Sequence, residues 1–332
     1  MQMAETLLNI EGLKTHFFTE AGIVKAVDGI SFNLKKGESL GLVGESGSGK
    51  TVTALSVLRI VPKPGKITDG KVEFNDENLL KKTEKEMQRI RGGEIAIIFQ
   101  DPSSSLNPVY TVETQLRDVI MAHQTVSKME ARKKAIEILE VVGIPDAETR
   151  MREYPHQFSG GMKQRVAIAR ALACEPTLLF ADEPTTNLDV TIQAQVLNLL
   201  NDLKKKFGMS LVMITHDMGI IAEMTTRIVV LYAGRVCEIA ETHALFERPR
   251  HPYTEALLAA VPRLDMRKTL RVIPGNIPNL IEPPSGCRFH PRCNYAKQTC
   301  KEDIPVLEEI ESGHFVACHE WRNITLKGER SR

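Results

Sequence analysis

The chain has 332 residues, too many for one compact core of usual size, so two or three subdomains are expected. Its 43 Lys and Arg against 42 Asp and Glu leave a net charge of +1, which is not the basic footprint of a nucleic-acid binder, and no nucleic-acid partner is expected. No apolar run is long enough to cross a bilayer, and residues 1–14 lack the charged, apolar and small-residue order of a signal peptide, so the sequence predicts a protein made and kept in the cytoplasm.

Residues 7–18 and 24–32 alternate in polarity and predict an antiparallel strand pair. Phe17 and Phe18 supply two rings there, open both to core packing and to stacking on a nucleotide base. The apolar run 39–43 then leads into Gly44, Glu45, Ser46, Gly47, Ser48, Gly49, Lys50 and Thr51, ahead of a helical stretch. That is a phosphate-binding loop between strand and helix. Its glycines let the backbone turn successive N–H groups inward onto polyphosphate oxygens, Lys50 bridges the terminal phosphates, and the Thr51 hydroxyl ligates Mg²⁺.

After a short strand at 71–74 and a charged helix over 81–90, residues 95–99 read as a fully buried strand that delivers Gln100 at its end. A glutamine there coordinates Mg²⁺ or the attacking water, although a strand-ending glutamine is by itself commonly an ordinary surface residue. Helical periodicity follows over 111–142, with Ala131, Ala135, Ile138, Leu139 and Val142 on one face. A loop then leads to Ser159, Gly160 and Gly161 at the start of the next helix. Ser159 is placed as its N-cap, and the glycines expose the first N–H groups as a second anion site. One nucleotide does not need two such sites, so the second is expected to close on a nucleotide held by another subunit.

The apolar strand at 177–181 ends in Asp182 and Glu183. Asp182 is expected to hold Mg²⁺ through water, and Glu183 to polarise a water against the γ-phosphate. An amphipathic helix follows with Ile192, Val196, Leu199, Leu200 and Leu203 on its buried side, and the strand at 211–215 carries His216 at its tip, where it can contact the γ-phosphate. All these groups sit at the carboxyl ends of apolar strands, the edge at which an open parallel sheet binds ligands.

The order of phosphate loop, Gln100, Ser159-Gly160-Gly161, Asp182-Glu183, Asp189 and His216 resembles the ATPase subunit of ABC transporters over roughly the first 240 residues. The stretches 100–108 and 158–165 and the C-terminal region resemble its dipeptide and oligopeptide importer subgroup. Met162 and Asn187 stand where the wider superfamily has Gln and the subgroup commonly has Ala. The resemblance implies an α/β P-loop NTPase core, mostly parallel with an antiparallel β subdomain, a helical subdomain inserted at about 101–160, and a small irregular Cys-rich extension over 241–332. It further implies two ATP molecules sandwiched between two ATPase subunits, with Ser159, Gly160, Gly161 and Asp189 of one facing the phosphate loop of the other. Phe17 stacks on adenine, and Glu183 is the catalytic base, assisted by Lys50, Gln100 and His216. The second ATPase is a paralogue or a further copy, the carriers are two transmembrane permease subunits served by an extracytoplasmic peptide-binding protein, and the chain sits peripherally on the cytoplasmic face of the cell membrane. Other solutes, such as a nickel chelate or an oligosaccharide, and a soluble ABC ATPase without transport remain alternatives.

Six cysteines in a chain without an export signal argue against a disulfide framework. Cys287, Cys293, Cys300 and Cys318 are separated by five, six and seventeen residues in a proline-rich segment. Four soft thiolates suit an iron–sulfur cluster or zinc, and the resemblance to peptide-importer ATPases implies a [4Fe–4S] cluster. Cys174 and Cys237 are expected in the core, in helix and strand.

Overall fold

Two long strands open the chain, β1 (Thr6–Thr19) and β2 (Gly22–Lys35), paired antiparallel with Phe17 opposite Val24 and Ile10 opposite Phe32. Their alternation puts Leu8, Ile10, Leu13, Val27, Ile30 and Leu34 in the core. The computed structural model describes residues 5–260 and 273–328. It has two compact units, one formed by the residues up to Lys81 with those from Met213 on, the other by Lys82–Val212.

In the first unit β3 (Ser39–Val43) is buried at every position and runs through the phosphate loop into α1 (Lys50–Val57). A strand buried on both faces is near-continuously apolar, which is why 40–43 reads as an unbroken run after the buried Ser39. β4 (Gly65–Phe74) lies on the free side of β1 and β5 (Glu77–Asn78) beyond it, giving the order β2-β1-β4-β5, all antiparallel.

The second unit begins with α2 (Glu84–Ile90), closed at its start by a reciprocal Thr83–Glu86 capping box. β6 (Ile95–Ile98) follows, then the short α3 (Pro102–Ser105), α4 (Val112–His123), α5 (Lys128–Val141), α6 (Ala147–Arg150), α7 (Gly160–Leu172), β7 (Leu178–Asp182) and α8 (Val190–Phe207). β6 and β7 pair parallel from Ile95 opposite Leu178 to Ile98 opposite Ala181. The pairing stops there, so Phe99, expected inside a buried strand, is 37% exposed. α5 buries Ala131, Ala135, Ile138 and Leu139, the face its periodicity predicts. α8 differs: Val196, Leu197, Leu200 and Leu203 are buried while Ile192 and Leu199 are half-buried. Ile192 lies in the first turn and rests instead against Gly161, where an added Cβ would come within 2.9 Å of its Cγ2. Cys174, expected in a helix, sits half-buried in the turn after α7, where burial pushes its thiol up to about 11.

The chain returns to the first unit through β8 (Ser210–Thr215), α9 (Met218–Met224), β9 (Arg227–Tyr232), β10 (Arg235–Glu241), α10 (Thr242–Glu247), α11 (Pro252–Ala259), α12 (Gln298–Glu302), β11 (Glu308–Glu311) and β12 (His314–Val316). β3 and β9 are parallel; β9, β10, β12 and β11 continue side by side as antiparallel strands. Cys237 is buried in β10, as expected. Among the described residues after 240, β11 and β12 add two strands beside β10 in the first unit. A buried carboxylate makes this join. Glu238 on β10 is 0% exposed, accepts the N–H groups of Arg250 (2.7 Å) and His251 (2.9 Å), and meets His314 Nε2 on β12 at 2.8 Å.

Leu200→Ala opens a cavity under the fully buried stripe of α8 and is expected to cost about 2–5 kcal/mol in denaturant unfolding. Leu199→Ala, one residue along on the half-buried side, is expected to cost less. Equal losses would contradict this packing.

Candidate functional site

The phosphate loop turns where only glycine fits. Gly44 has φ 153°, and a Cβ there would lie 2.1 Å from the Leu231 carbonyl oxygen; Gly49 has φ 103°, and a Cβ there would lie 2.5 Å from the Ala26 carbonyl oxygen. Gly234 N–H donates to Ser48 O at 2.9 Å, so the loop is held from the ends of β2 and β9. The Lys50 ammonium folds back across it, donating to the carbonyls of Gly44 (2.7 Å) and Glu45 (3.0 Å), with Ser48 Oγ at 3.5 Å. Lys50 and Ser48 are buried, whereas Ser46, Gly47 and Thr51 face outward. The loop thus presents a fixed cation beneath outward-facing loop residues at the head of α1, the arrangement that receives a polyphosphate.

Glu45 is engaged elsewhere. Its carboxylate makes a two-pronged ion pair with Arg292, at 2.7 and 3.0 Å, and its N–H donates to Tyr253 Oη at 2.8 Å. Burial works against the Arg292 charge, but its bonds to Glu45 and Tyr232 outweigh that and raise its pKa. Sequence reasoning missed this partner, since nothing local relates positions 45 and 292.

In the second unit, parallel pairing brings Gln100 and Glu183 together. Gln100 Nε2 donates to Glu183 Oε2 at 2.8 Å, and Thr186 Oγ1 donates to the same oxygen at 2.9 Å. Glu183 has φ 45°, a left-handed conformation that a non-glycine residue adopts at a cost of about 1–3 kcal/mol and that clusters at functional sites. Asp182, one residue earlier, is buried at the end of β7. Thr186 carried no sequence signal as a partner of the carboxylate.

Ser159 caps α7, its Oγ accepting Met162 N–H at 3.3 Å, and Gly160 is exposed with nothing within 4 Å of a Cβ built on it. Gly161 instead makes room for Ile192. Asp189 caps α8 through Ile192 N–H at 2.9 Å and is exposed. His216 is exposed after β8. Phe17 is half-buried in β1 against Gly65, while Phe18 is 43% exposed with Lys66 Nζ 5.6 Å from its ring centre.

Cys287, Cys293, Cys300 and Cys318 line one cavity together with Pro252, Phe289 and Tyr295. Burial raises the Cys287 thiol and pushes Cys293 up to about 11 and Cys318 up to about 12, so metal loading would release protons. Among the described residues, no three His, Cys, Asp or Glu side chains converge closely enough to hold a metal ion. The metal centre expected from the four cysteines is therefore not present as a formed ligand set.

The family profile described as "ABC transporter" matches residues 27–186, and the one described as "Oligopeptide/dipeptide transporter, C-terminal region" matches residues 237–300. The chain is 51% identical to a probable peptide ABC transporter ATP-binding protein of Sinorhizobium fredii over 96% of both chains. It is 48% identical to the dipeptide transport ATP-binding protein DppD of Escherichia coli over 94% of this chain and 96% of that one. This chain belongs to the ABC ATPases, in the branch of dipeptide and oligopeptide transport ATP-binding proteins. The fold agrees: the ATP-binding cassette MJ0796, in a dimeric post-hydrolysis state with ADP and Pi, superposes with TM-score 0.64 at 28% identity, covering 71% of this chain and 99% of that one. No helix among the described residues of this ABC ATPase is long and apolar enough to cross a membrane.

The loop geometry predicts an ordering of glycine variants. Gly44→Ala drives a Cβ into a backbone carbonyl and is expected to weaken MgATP binding at least about tenfold; Gly47→Ala, with φ 76° but open space, carries only about 1–2 kcal/mol of backbone strain. Calorimetric titration of both checks the order.

Proposed function

We propose that this ABC ATPase is the energy-coupling subunit of a dipeptide or oligopeptide importer, binding and hydrolysing MgATP at the cytoplasmic face of the membrane. The observation that supports hydrolysis is the strained Glu183, its carboxylate fixed by Gln100 and Thr186 at the end of a buried strand. Peptide as the solute is supported by the names of relatives similar along nearly the whole chain.

In this reading Lys50 and the loop N–H groups hold the phosphates, while Thr51, Gln100 and Asp182 would offer a hydroxyl, an amide and a carboxylate to Mg²⁺, Asp182 through water. Bound there, the ion neutralises charge on the phosphates. Glu183 accepts a proton from the attacking water, His216 meets the γ-phosphate, and Phe17 stacks on the base. Ser159, Gly160, Gly161 and Asp189 serve the nucleotide of a second ATPase, a paralogue or another copy; the exposure of the Ser159–Gly160 turn suits a role toward a separate subunit. The ATPase domain extends to residue 240, its helical insertion at 101–160 meets the two permeases, and an extracytoplasmic peptide-binding protein delivers the solute to them. The four tail cysteines would hold a [4Fe–4S] cluster, zinc being the alternative; their common cavity supports this reading.

Glu183→Gln is expected to lower ATP turnover by a factor of about 10² or more while MgATP still binds. Turnover within twofold of the unaltered protein would remove Glu183 as the base. Anaerobic purification is expected to give a brown protein with about four irons per chain; stoichiometric zinc without sulfide would overturn the cluster.

A further inference from the structure

The phosphate loop carries a carboxylate at its second position, which is a poor neighbour for a triphosphate. Among the described residues Glu45 is ion-paired with one side-chain cation, Arg292, whose side chain is 5% exposed. The rest of that guanidinium is also committed: Nε donates to Pro274 O at 2.8 Å, Nη1 to Tyr232 Oη at 3.2 Å, and Nη2 to Ile273 O at 3.4 Å. Tyr232 stands edge-on to Tyr253 at 4.6 Å, and Tyr253 is the residue that accepts the Glu45 N–H. A fork fixed at all three nitrogens cannot swing away from the loop, and its charge is aimed at Glu45 rather than at solvent.

We propose that Arg292 is a positioning residue for nucleotide binding, masking the Glu45 charge so that the phosphate loop accepts a polyphosphate, and that the tail thereby sets the ATP affinity. This rests on the nucleotide reading of the loop. Because Arg292 acts through Glu45, its loss is repaired by removing the carboxylate, which would not be so for an arginine that only supports the fold.

The test is MgATP titration and steady-state ATPase kinetics on the full chain with its companion subunits, for R292M, R292K, E45Q and the double variant E45Q/R292M. R292M is expected to raise Kd and KM about tenfold with kcat changed less than about twofold, the pattern of a lost binding term. R292K keeps a charge but loses the two-pronged fork, so its Kd should fall between those of R292M and the unaltered protein, while E45Q/R292M should return to within about threefold of the unaltered protein. An R292M affinity within twofold of the unaltered protein, or a double variant as weak as R292M, overturns the proposal. If R292M does not fold, R292Q decides, since it removes the charge but keeps a polar side chain near Pro274 O and Tyr232 Oη: a Kd raised about fivefold or more supports masking, and a Kd within twofold of the unaltered chain overturns it. An unaltered chain that fails to bind MgATP removes the site reading and this inference with it, whereas normal binding by the unaltered chain and by R292M removes this inference alone.

Discussion

Backbone carbonyls decide where the phosphate loop can turn. Leu231 O and Ala26 O each occupy the space a side chain at residue 44 or 49 would need, so the loop is pressed against the ends of β9 and β2 without side chains between them. That close approach lets Gly234 bond to Ser48 and lets the Lys50 ammonium span the loop's own carbonyls. The functional groups of the loop are thus placed by main chain, which is less tolerant of adjustment than a network of side chains would be.

Much of this was legible in the sequence because it is local. The apolar run at β3, the glycine spacing, the cap at Ser159 and the apolar face of α5 each follow from neighbouring residues, and each is found in place. Gln100 and Glu183 were also readable, since parallel strands align their carboxyl ends and two apolar strands ending in polar groups foretell that meeting. Strand and helix margins were less so: Phe99 and Ile192 look apolar enough to be buried, but what surrounds them is settled by pairing that stops at Ile98 and by a glycine on another helix.

What sequence could not give is partnership across long separations. Arg292 with Glu45, Glu238 with His314, and Thr186 with the catalytic candidate have no periodicity or motif that links them. The tail suffered most. There β11 and β12 carry too few residues for alternation to register, so their addition beside β10 had no signal.

Charge ties that tail to the strands around the phosphate loop. Two arginines, Arg288 and Arg292, begin and end the segment between the first two tail cysteines, and both are buried. Arg288 bonds Asp28 on β2 and the Ala233 carbonyl, beside Arg235, which bonds the same carboxylate; Arg292 takes Glu45. Burial lowers Arg288 to about 10 despite Asp28, yet leaves it protonated at neutral pH, so its charge must stay paired. Burial also opposes the Asp28 charge, but the two arginines more than offset it and its pKa is lowered. Withdrawing the tail would leave Asp28 with Arg235 and His16 but without Arg288, and would take from Glu45 its Arg292 partner, a cost that a buried ion pair imposes on whichever partner remains. The residues between Cys287 and Cys293 are therefore held by the same strands that hold the phosphate loop, and any rearrangement of the cysteine cavity that shifts this segment must also move Arg292 against Glu45.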